Sequence, residues 1–253
     1  MNAANPELAI TWLGHATVLV ELDGVRLLTD PVLRRRVGPL RRIAPGHSVD
    51  SLGKIDCVLL SHLHADHTDL GSLRRLDHRR TLSPDPSARW LRRRGLRDVH
   101  DIRPGGEVPI ESVRVTAVKA DHDPRRGPLG PAAKPVGYVI SGSRSVYFAG
   151  DTDLFDEMAE MRGRVDVALL PIAGWGPSVG PGHLDPERAA EAARRIAPTL
   201  AIPIHWGTLA LPWPAARGPA DPERPAREFA ERIKLVAPDV AMRVLAPGER
   251  LVP

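Results

Sequence analysis

At the start of the chain, apolar and polar residues alternate in short runs, and this period of two is typical of β-strands. Residues 9–13 predict a first strand that ends at Gly14-His15. Residues 17–22 and 25–29 flank Asp23-Gly24, a dipeptide that favours the tight turn of a β-hairpin. An apolar run at 57–60 follows. The pattern therefore predicts a strand, a hairpin and then a buried strand.

The remaining three quarters of the chain mix strand and helix patterns. A helix is predicted from Asp185-Pro186, because Asp is a good N-cap and Pro a good first residue, and another from Pro225. Shorter helices are expected after Thr68 and at 87–95. Long segments rich in Gly, Pro or Arg predict exposed loops at 32–53, 124–135 and 173–182. The predicted strands of this part of the chain are 113–119, 136–141, 145–149, 165–171, 200–203 and 240–245.

This order of elements suits a sheet sandwich flanked by helices, formed by residues 1–253 as one domain. Apolar residues make up 42% of the sequence, and no run approaches the roughly 18 that a membrane span needs. The first residues show no secretory signal pattern. The one cysteine, Cys57, excludes an internal disulfide. A cytoplasmic location is therefore expected.

The net charge of +4 and the isoelectric point near 9.7 raise the question of nucleic-acid binding. Arginine runs occur at 34–36, 41–42, 79–80 and 92–94. Lysine is rare, however, and acidic residues nearly match the basic ones. Aromatic residues are not interleaved with the arginines, as a stacking platform for single strands would require. Nucleic-acid binding is therefore kept only as the weaker alternative.

The stretch Ser61-His62-Leu63-His64-Ala65-Asp66-His67 contains three imidazoles and one carboxylate within six residues. Both groups suit zinc or a similar divalent cation. His62 and His64 are two residues apart at the mouth of a strand, so they project to the same side. The chain then turns, which lets Asp66 and His67 face a second point. A solvated polar loop is the alternative interpretation.

The spacing His-x-His-x-Asp-His resembles the signature of the metallo-β-lactamase superfamily. Four stretches are similar to the branch that contains N-acylphosphatidylethanolamine phospholipase D and the L-ascorbate-6-phosphate lactonases; they are 12–17, 28–31, 61–71 and 182–187. The resemblance extends from Trp12 to Gly207. One departure is that Thr68-Asp69-Leu70 follows the histidines, where glyoxalase-II relatives carry a Gly-Gly pair.

The resemblance implies a four-layer αββα metallo-β-lactamase fold and two divalent cations, with zinc preferred over manganese or iron. One cation would be held by His62, His64 and His122. The other would be held by Asp66, His67 and His205, with Asp151 bridging both. A hydroxide between the cations would be the nucleophile, and Asp66 would orient it and take its proton. A relative that had lost its metals would usually have lost ligands too, and none is missing here.

Several other residues are candidates for supporting roles. Asp30 is expected to accept a hydrogen bond from a metal-binding histidine, or else to be a turn residue. His183 is expected to stabilise a developing oxyanion, and His15 to line the cavity. The remaining expectations are a core position for Cys57, packing roles for Trp175 and Trp206, and solvent exposure for Arg125 and Arg126.

The expected activity is metal-dependent hydrolysis, with a phosphodiester preferred as substrate and a lactone, such as that of a sugar phosphate, as the alternative. A nuclease or a nucleic-acid-binding protein and a metal-free scaffold are further alternatives. The substrate is expected to be a small molecule whose identity depends on the loops 32–53, 124–135 and 173–183. The oligomeric state is left open, a homo-oligomer included.

Overall fold

A computed structural model of the protein describes residues 7–127, 130–176, 179–212 and 221–253. Among these residues, no helix combines the length and the apolar character that crossing a bilayer requires. The four α-helices are α1 Leu70–Leu73, α2 Ala88–Arg92, α3 Pro186–Ile196 and α4 Arg224–Val236, and 3-10 helices lie at Asp50–Leu52 and Asp156–Met161. The strands are β1 Leu8–Gly14, β2 Thr17–Leu22, β3 Val25–Thr29, β4 Arg36–Val37, β5 Leu40–Arg42, β6 Ile55–Leu59, β7 His78–Pro84, β8 Val99–Ile102, β9 Glu107–Ile110, β10 Val113–Lys119, β11 Val136–Ser141, β12 Ser145–Phe148, β13 Val167–Pro171, β14 Leu200–Ile204, β15 Leu209–Ala210, β16 Ala241–Met242 and β17 Arg250–Leu251.

Two seven-stranded sheets form the centre of the fold. The N-terminal sheet has the order β17-β1-β2-β3-β6-β7-β8, and the C-terminal sheet has the order β16-β14-β13-β12-β11-β10-β9. Strands β3, β6, β7 and β8 run parallel to one another, as do β12, β13, β14 and β16. Carboxyl ends of parallel neighbours lie at one edge of a sheet, so residues that follow these strands converge.

Side chains alternate between two cores along the strands of the N-terminal sheet. Leu27 and Leu59 face the core between the sheets, whereas Leu28 and Val58 face a second core under α1 and α2. Because both faces are buried, this sheet must be covered on each side. Helices α3 and α4 pack on the C-terminal sheet through residues such as Phe229. The layers therefore run helix, sheet, sheet, helix, and the expected αββα metallo-β-lactamase fold is confirmed.

The sequence predicted most elements near the site within one or two residues. The hairpin strands β2 and β3 match their predicted bounds. Helix α3 begins after Asp185, whose carboxylate accepts a hydrogen bond from the Arg188 N–H at 2.8 Å. Cys57 is a fully buried core residue, as expected, and burial raises the pKa of its thiol to about 12.

The segment 32–53 is not the plain exposed loop that the sequence predicted. It contains strands β4 and β5, which join β15 in a three-stranded sheet. Val32, Val37, Leu40 and Leu209 form a small core beneath that sheet. The sequence did not predict β4 and β5 because part of the core beneath them, Leu209, lies more than 150 residues away along the chain. The strand predicted at 240–245 is shorter, and only Ala241–Met242 pair with β14.

The contribution of the Asp185 N-cap to the stability of α3 can be measured. Replacing Asp185 with Ala should lower the free energy of unfolding by about 1 kcal/mol, because the Arg188 N–H loses its acceptor. Urea denaturation measures this change. Asp239→Ala is the matched control, since Asp239 is exposed. Equal losses in the two variants would contradict the capping role.

Candidate metal centre

Loops that follow strands of both sheets bring a set of histidine and aspartate side chains together. The N-terminal sheet contributes the loop after β6, which carries His62 to His67, and the β1–β2 turn, which carries His15. The C-terminal sheet contributes the segments after β10, β12 and β14, and these carry His122, Asp151 and His205. All the residues predicted as ligands therefore meet at one edge of the sandwich.

His62, His64 and His122 form the first donor group. One ring nitrogen from each lies within 4.8 Å of the others. His122 Nε2 is 3.0 Å from His64 Nδ1. His62 Nε2 is buried and has no hydrogen-bond partner among the described residues. A buried nitrogen left without a partner is costly unless something else binds it.

His15, Asp66, His67 and His205 form the second donor group, and their ligand atoms also lie within 4.8 Å of one another. His67 Nε2 is 3.0 Å from His205 Nε2. His15, which the sequence suggested only as a cavity residue, has its Nε2 3.2 Å from Asp66 Oδ2. No sequence pattern indicated this contact, because fifty residues separate the two side chains.

Asp151 lies between the two groups, and its carboxylate is only 3% exposed. Its Oδ1 is 3.2 Å from His205 Nε2 but has no partner with hydrogen-bond geometry in the described part of the chain. Its Oδ2 is 3.1 Å from His67 Nε2 and 4.0 Å from His62 Nε2. The carboxylate therefore reaches members of both donor groups.

For the five histidines expected as ligands, the ring nitrogen that faces away from the centre is held by an acceptor. A carbonyl acceptor requires that the histidine donate, which leaves a lone pair on the inward nitrogen, as metal binding needs. The pairs are His64 Nε2 with Arg125 O at 2.7 Å, His122 Nδ1 with Gly182 O at 2.7 Å, His205 Nδ1 with Ala173 O at 2.5 Å, His67 Nδ1 with Asp30 Oδ2 at 2.7 Å and His62 Nδ1 with Ser61 Oγ at 2.9 Å.

The inward lone pairs and the buried carboxylates together fit a cation. In the neutral form that metal binding requires, the inward nitrogens of His67 and His205 would both carry lone pairs only 3.0 Å apart and would repel each other unless a positive charge lay beside them. Burial lowers the pKa of His67, yet Asp151 and Asp30 outweigh that effect and raise it well above its usual value. The pocket is thus negative enough to favour positive charge. The donor chemistry, imidazole with carboxylate, is that of zinc, manganese or iron sites.

Asp66 and Asp151, the two carboxylates expected as ligands, are held in the ionised form. Burial opposes ionisation of Asp66, but the hydrogen bond from His15 and the charge of His67 hold its pKa well below the usual range. Burial likewise opposes ionisation of Asp151, and the charges of His205 and His67 keep its pKa well below the usual range. An ionised carboxylate is the form that binds a cation or accepts a proton.

Three residues of the centre have left-handed backbone conformations, which are rare outside glycine. They are His15 with φ 54°, Asp30 with φ 33° and His205 with φ 65°. The His205 N–H donates to the His15 carbonyl at 2.8 Å, so two of the strained positions hold each other. Such strain persists where surrounding contacts fix the backbone, and it concentrates at functional sites.

His183 lies at the open side of the centre, next to the first donor group. Its Nε2 is 3.4 Å from Asp151 Oδ2, and a quarter of its side chain is exposed. The ring of His183 lies 4.6 Å from that of His122. Burial lowers the pKa of His183, but the contact with Asp151 outweighs this and raises it. His183 is therefore placed to donate a proton or a hydrogen bond into the cleft.

The other candidates have mixed outcomes. Trp206 packs on Trp12 with ring centroids 4.9 Å apart, as expected, whereas Trp175 is 39% exposed. Arg125 is exposed, but Arg126 is half-buried and donates to the carbonyls of Leu63 and Thr68, contrary to the expectation. Arg126 thereby supports the loop that carries the histidines. The sequence missed it because backbone acceptors leave no pattern.

Comparison with known proteins gives consistent matches over most of the chain. A family model described as "Beta-lactamase superfamily domain" matches residues 25–206. A UPF0173 metal-dependent hydrolase from Methanopyrus kandleri is 35% identical over 250 residues, which cover 96% of this chain and 98% of that protein. N-acyl-phosphatidylethanolamine-hydrolyzing phospholipase D 1 of Caenorhabditis elegans is 30% identical over 79% of this chain and 64% of the relative.

A solved structure gives the same assignment. Igni18, a metallo hydrolase from the archaeon Ignicoccus hospitalis, is 27% identical and has a TM-score of 0.73, with 96% of this chain and 97% of that chain covered. The resemblance inferred from the histidine spacing is confirmed. Because the family model spans most of the chain and the Methanopyrus protein nearly all of it, the chain belongs to the β-lactamase superfamily and, within it, to the UPF0173 metal-dependent hydrolases.

Proposed function

We propose that this metal-dependent hydrolase uses two divalent cations, preferably zinc, to cleave a phosphodiester in a small molecule. His62, His64 and His122 would hold one cation, and Asp66, His67 and His205 would hold the other. The position of Asp151 is the observation that carries the proposal. Its oxygens lie 3.1 Å from His67 Nε2 and 3.2 Å from His205 Nε2, and 4.0 Å from His62 Nε2. One carboxylate in contact with both donor groups suits a bridge between two cations.

The cations supply Lewis-acid polarisation of the scissile bond and lower the pKa of a water molecule toward neutrality. With the cations bound, Asp66 would be the proton acceptor. Its carboxylate is ionised and 13% exposed, so it faces the cleft more openly than the other acidic group of the centre. His15 is a positioning residue, because its Nε2 holds one Asp66 oxygen at 3.2 Å and leaves the other available.

His183 stabilises negative charge as it develops on the substrate. Its raised pKa increases the fraction that carries a proton near neutral pH. Its exposure of about one quarter and its contact with Asp151 keep the ring at the substrate side of the centre. A donor held in place before the reaction stabilises the transition state at little cost in reorganisation.

Two considerations favour a phosphodiester over a lactone. A phosphodiester is already an anion, so its transition state carries more negative charge than that of lactone opening, and His183 adds a donor with a raised pKa beside the donor groups. The relative from Caenorhabditis elegans is named as a phospholipase D, which is phosphodiester chemistry. A lactonase would use the same groups, so the substrate preference is a matter for direct assay.

Metal analysis tests the ligand assignment. The wild-type protein should contain about two equivalents of divalent metal, and His62→Ala, Asp151→Ala and His205→Ala should each lose a large part of it. Elemental mass spectrometry on purified protein gives the content. His100→Ala is the control, because His100 is half-exposed and lies outside both donor groups. Content below about half an equivalent that added zinc or manganese fails to restore would contradict the proposal.

The acceptor behind His62 provides a milder perturbation. Ser61→Ala removes the oxygen 2.9 Å from His62 Nδ1 and should weaken metal affinity about 10- to 100-fold, because the ring loses its orientation. Competition with a chelating dye measures that affinity. Ser112→Ala, at an exposed serine remote from the centre, should leave it unchanged. Identical affinities in all three proteins would show that Ser61 does not orient the ligand.

Activity assays separate the two substrate classes. The wild type should hydrolyse bis(p-nitrophenyl) phosphate with a higher kcat/KM than any member of a lactone panel. Asp66→Asn and His183→Gln should each lower kcat by about 10²- to 10³-fold, through loss of the proton acceptor and of the donor respectively. For His183→Gln the metal content should stay at the wild-type level. A preference for lactones in the metal-loaded wild type would assign the chain to lactone hydrolysis instead.

A further inference from the structure

Five arginines line one cavity of about 410 Å³ on the three-stranded sheet. They are Arg34, Arg35, Arg36, Arg41 and Arg42, and we refer to them as the arginine pocket. Three of these residues belong to β4 and β5, and the other two precede β4 directly. None of the histidines or aspartates of the metal centre is among the residues that line it. The arginine pocket is therefore distinct from the metal centre.

Four of the five guanidinium groups have no acidic partner in the described ranges. Arg34 pairs with Asp69, with Nε to Oδ2 at 2.8 Å and Nη2 to Oδ1 at 2.5 Å. Within the part of the chain that the structure describes, no carboxylate lies within 4.0 Å of the others. The sequence outside that part contains no Asp or Glu. Positive charges gathered around one cavity repel each other unless an anion binds between them.

Arg42 differs from an ordinary surface arginine because it is only 8% exposed. Its guanidinium donates to Val32 O at 2.5 Å and to Leu13 O at 3.2 Å. Its Nε is buried and has no partner in the described part of the chain. Burial also lowers the pKa of Arg42. A buried cation that is bonded only to neutral carbonyls is not neutralised, so an anion bound beside it would be stabilised.

A second cavity, of about 640 Å³, continues from the first and shares Arg35, Arg41 and Arg42 with it. Its remaining wall is mostly apolar and includes Ile43, which is 49% exposed, and Leu211. An exposed isoleucine beside arginines offers apolar surface to the uncharged part of a ligand. The two cavities together suit a molecule with a charged end and an uncharged body.

Three arginines of the other runs have partners of their own within the described residues. Arg79 pairs with Glu111 at 2.9 Å, and Arg80 lies 3.8 Å from Asp98. Arg94 stacks on Trp90, with its guanidinium carbon 3.8 Å from the ring centroid. Binding along a phosphate backbone needs a continuous basic stripe. The arginine pocket differs because four guanidinium groups without an acidic partner in the described ranges line a single cavity.

We propose that the arginine pocket binds a small organic phosphate that carries at least two negative charges. The phosphate oxygens bind between Arg35, Arg36 and Arg41, because guanidinium matches phosphate in a two-pronged geometry, and Arg42, which also lines the cavity, adds its positive charge. The uncharged part of the ligand lies along Ile43 and Leu211. This binding requires no metal, so it holds or fails independently of the proposed hydrolysis.

Calorimetric titration with inorganic pyrophosphate at about 0.15 M salt tests whether the arginine pocket binds the phosphate end of the proposed ligand. Wild-type protein should bind it, and the double variant Arg35→Gln/Arg41→Gln should bind about tenfold or more weakly. Neither side chain donates a hydrogen bond in the described structure, so the variant should fold normally. Arg93→Gln/Arg97→Gln removes the same charge from exposed arginines elsewhere and should bind like the wild type.

Two further titrations locate the bound phosphate and test the apolar wall. The double variant His62→Ala/His205→Ala should retain pyrophosphate binding, because the arginine pocket does not use the metal centre. Phenyl phosphate tests the apolar wall, and Ile43→Ser should weaken its binding while leaving that of pyrophosphate unchanged.

Three results would overturn the proposal. Equal weakening in the two arginine double variants would show that only net charge matters. Loss of binding in the histidine variant would place pyrophosphate at the metal centre. Displacement of pyrophosphate by a short oligonucleotide that binds more tightly, with a steep dependence on salt, would identify the surface as a nucleic-acid site.

Discussion

The buried carboxylate of Asp30 is the interaction on which the geometry of the metal centre depends. It accepts hydrogen bonds from His67 Nδ1 at 2.7 Å, from the Ser61 N–H at 2.7 Å and from Ser61 Oγ at 2.5 Å. Ser61 Oγ in turn accepts from His62 Nδ1. Burial raises the pKa of Asp30, and these hydrogen bonds oppose that shift. One carboxylate thus orients a histidine of each donor group and joins the end of β3 to the loop after β6.

The contrast between β3 and β7 shows how far sequence pattern could predict the fold. Strands β2 and β3 alternate cleanly around Asp23-Gly24, so the hairpin was predicted with its observed bounds. Strand β7 begins with His78-Arg79-Arg80, and no strand was predicted there. Its polar half is stabilised by pairing with β6 and β8 rather than by burial. Whether such a segment forms a strand depends on partner strands that are distant in sequence, and the local periodicity carries no information about those partners.

The same distinction between predictable and unpredictable features applies to the candidate site. Side chains of distinctive chemistry at strand ends, such as His122 and Asp151, could be identified from the sequence and lie together in the fold. The groups that orient them could not, because most are backbone carbonyls, for example Gly182 O and Ala173 O. Any residue type can supply a carbonyl. Its role is set by where the chain passes, which only the folded structure determines.

Each donor group takes side chains from both sheets: His62 and His64 with His122 in the first, and Asp66 and His67 with His205 in the second. A cation bound to either group would act as a cross-link between the two halves of the sandwich. A ligand that binds only the folded chain adds RT ln(1 + [L]/Kd) to the unfolding free energy, about 4 kcal/mol at a thousand times Kd. Net stabilities are about 5–15 kcal/mol, so this would be a large share. Cellular metal supply would then govern the lifetime of the protein against unfolding and proteolysis as well as its catalytic competence.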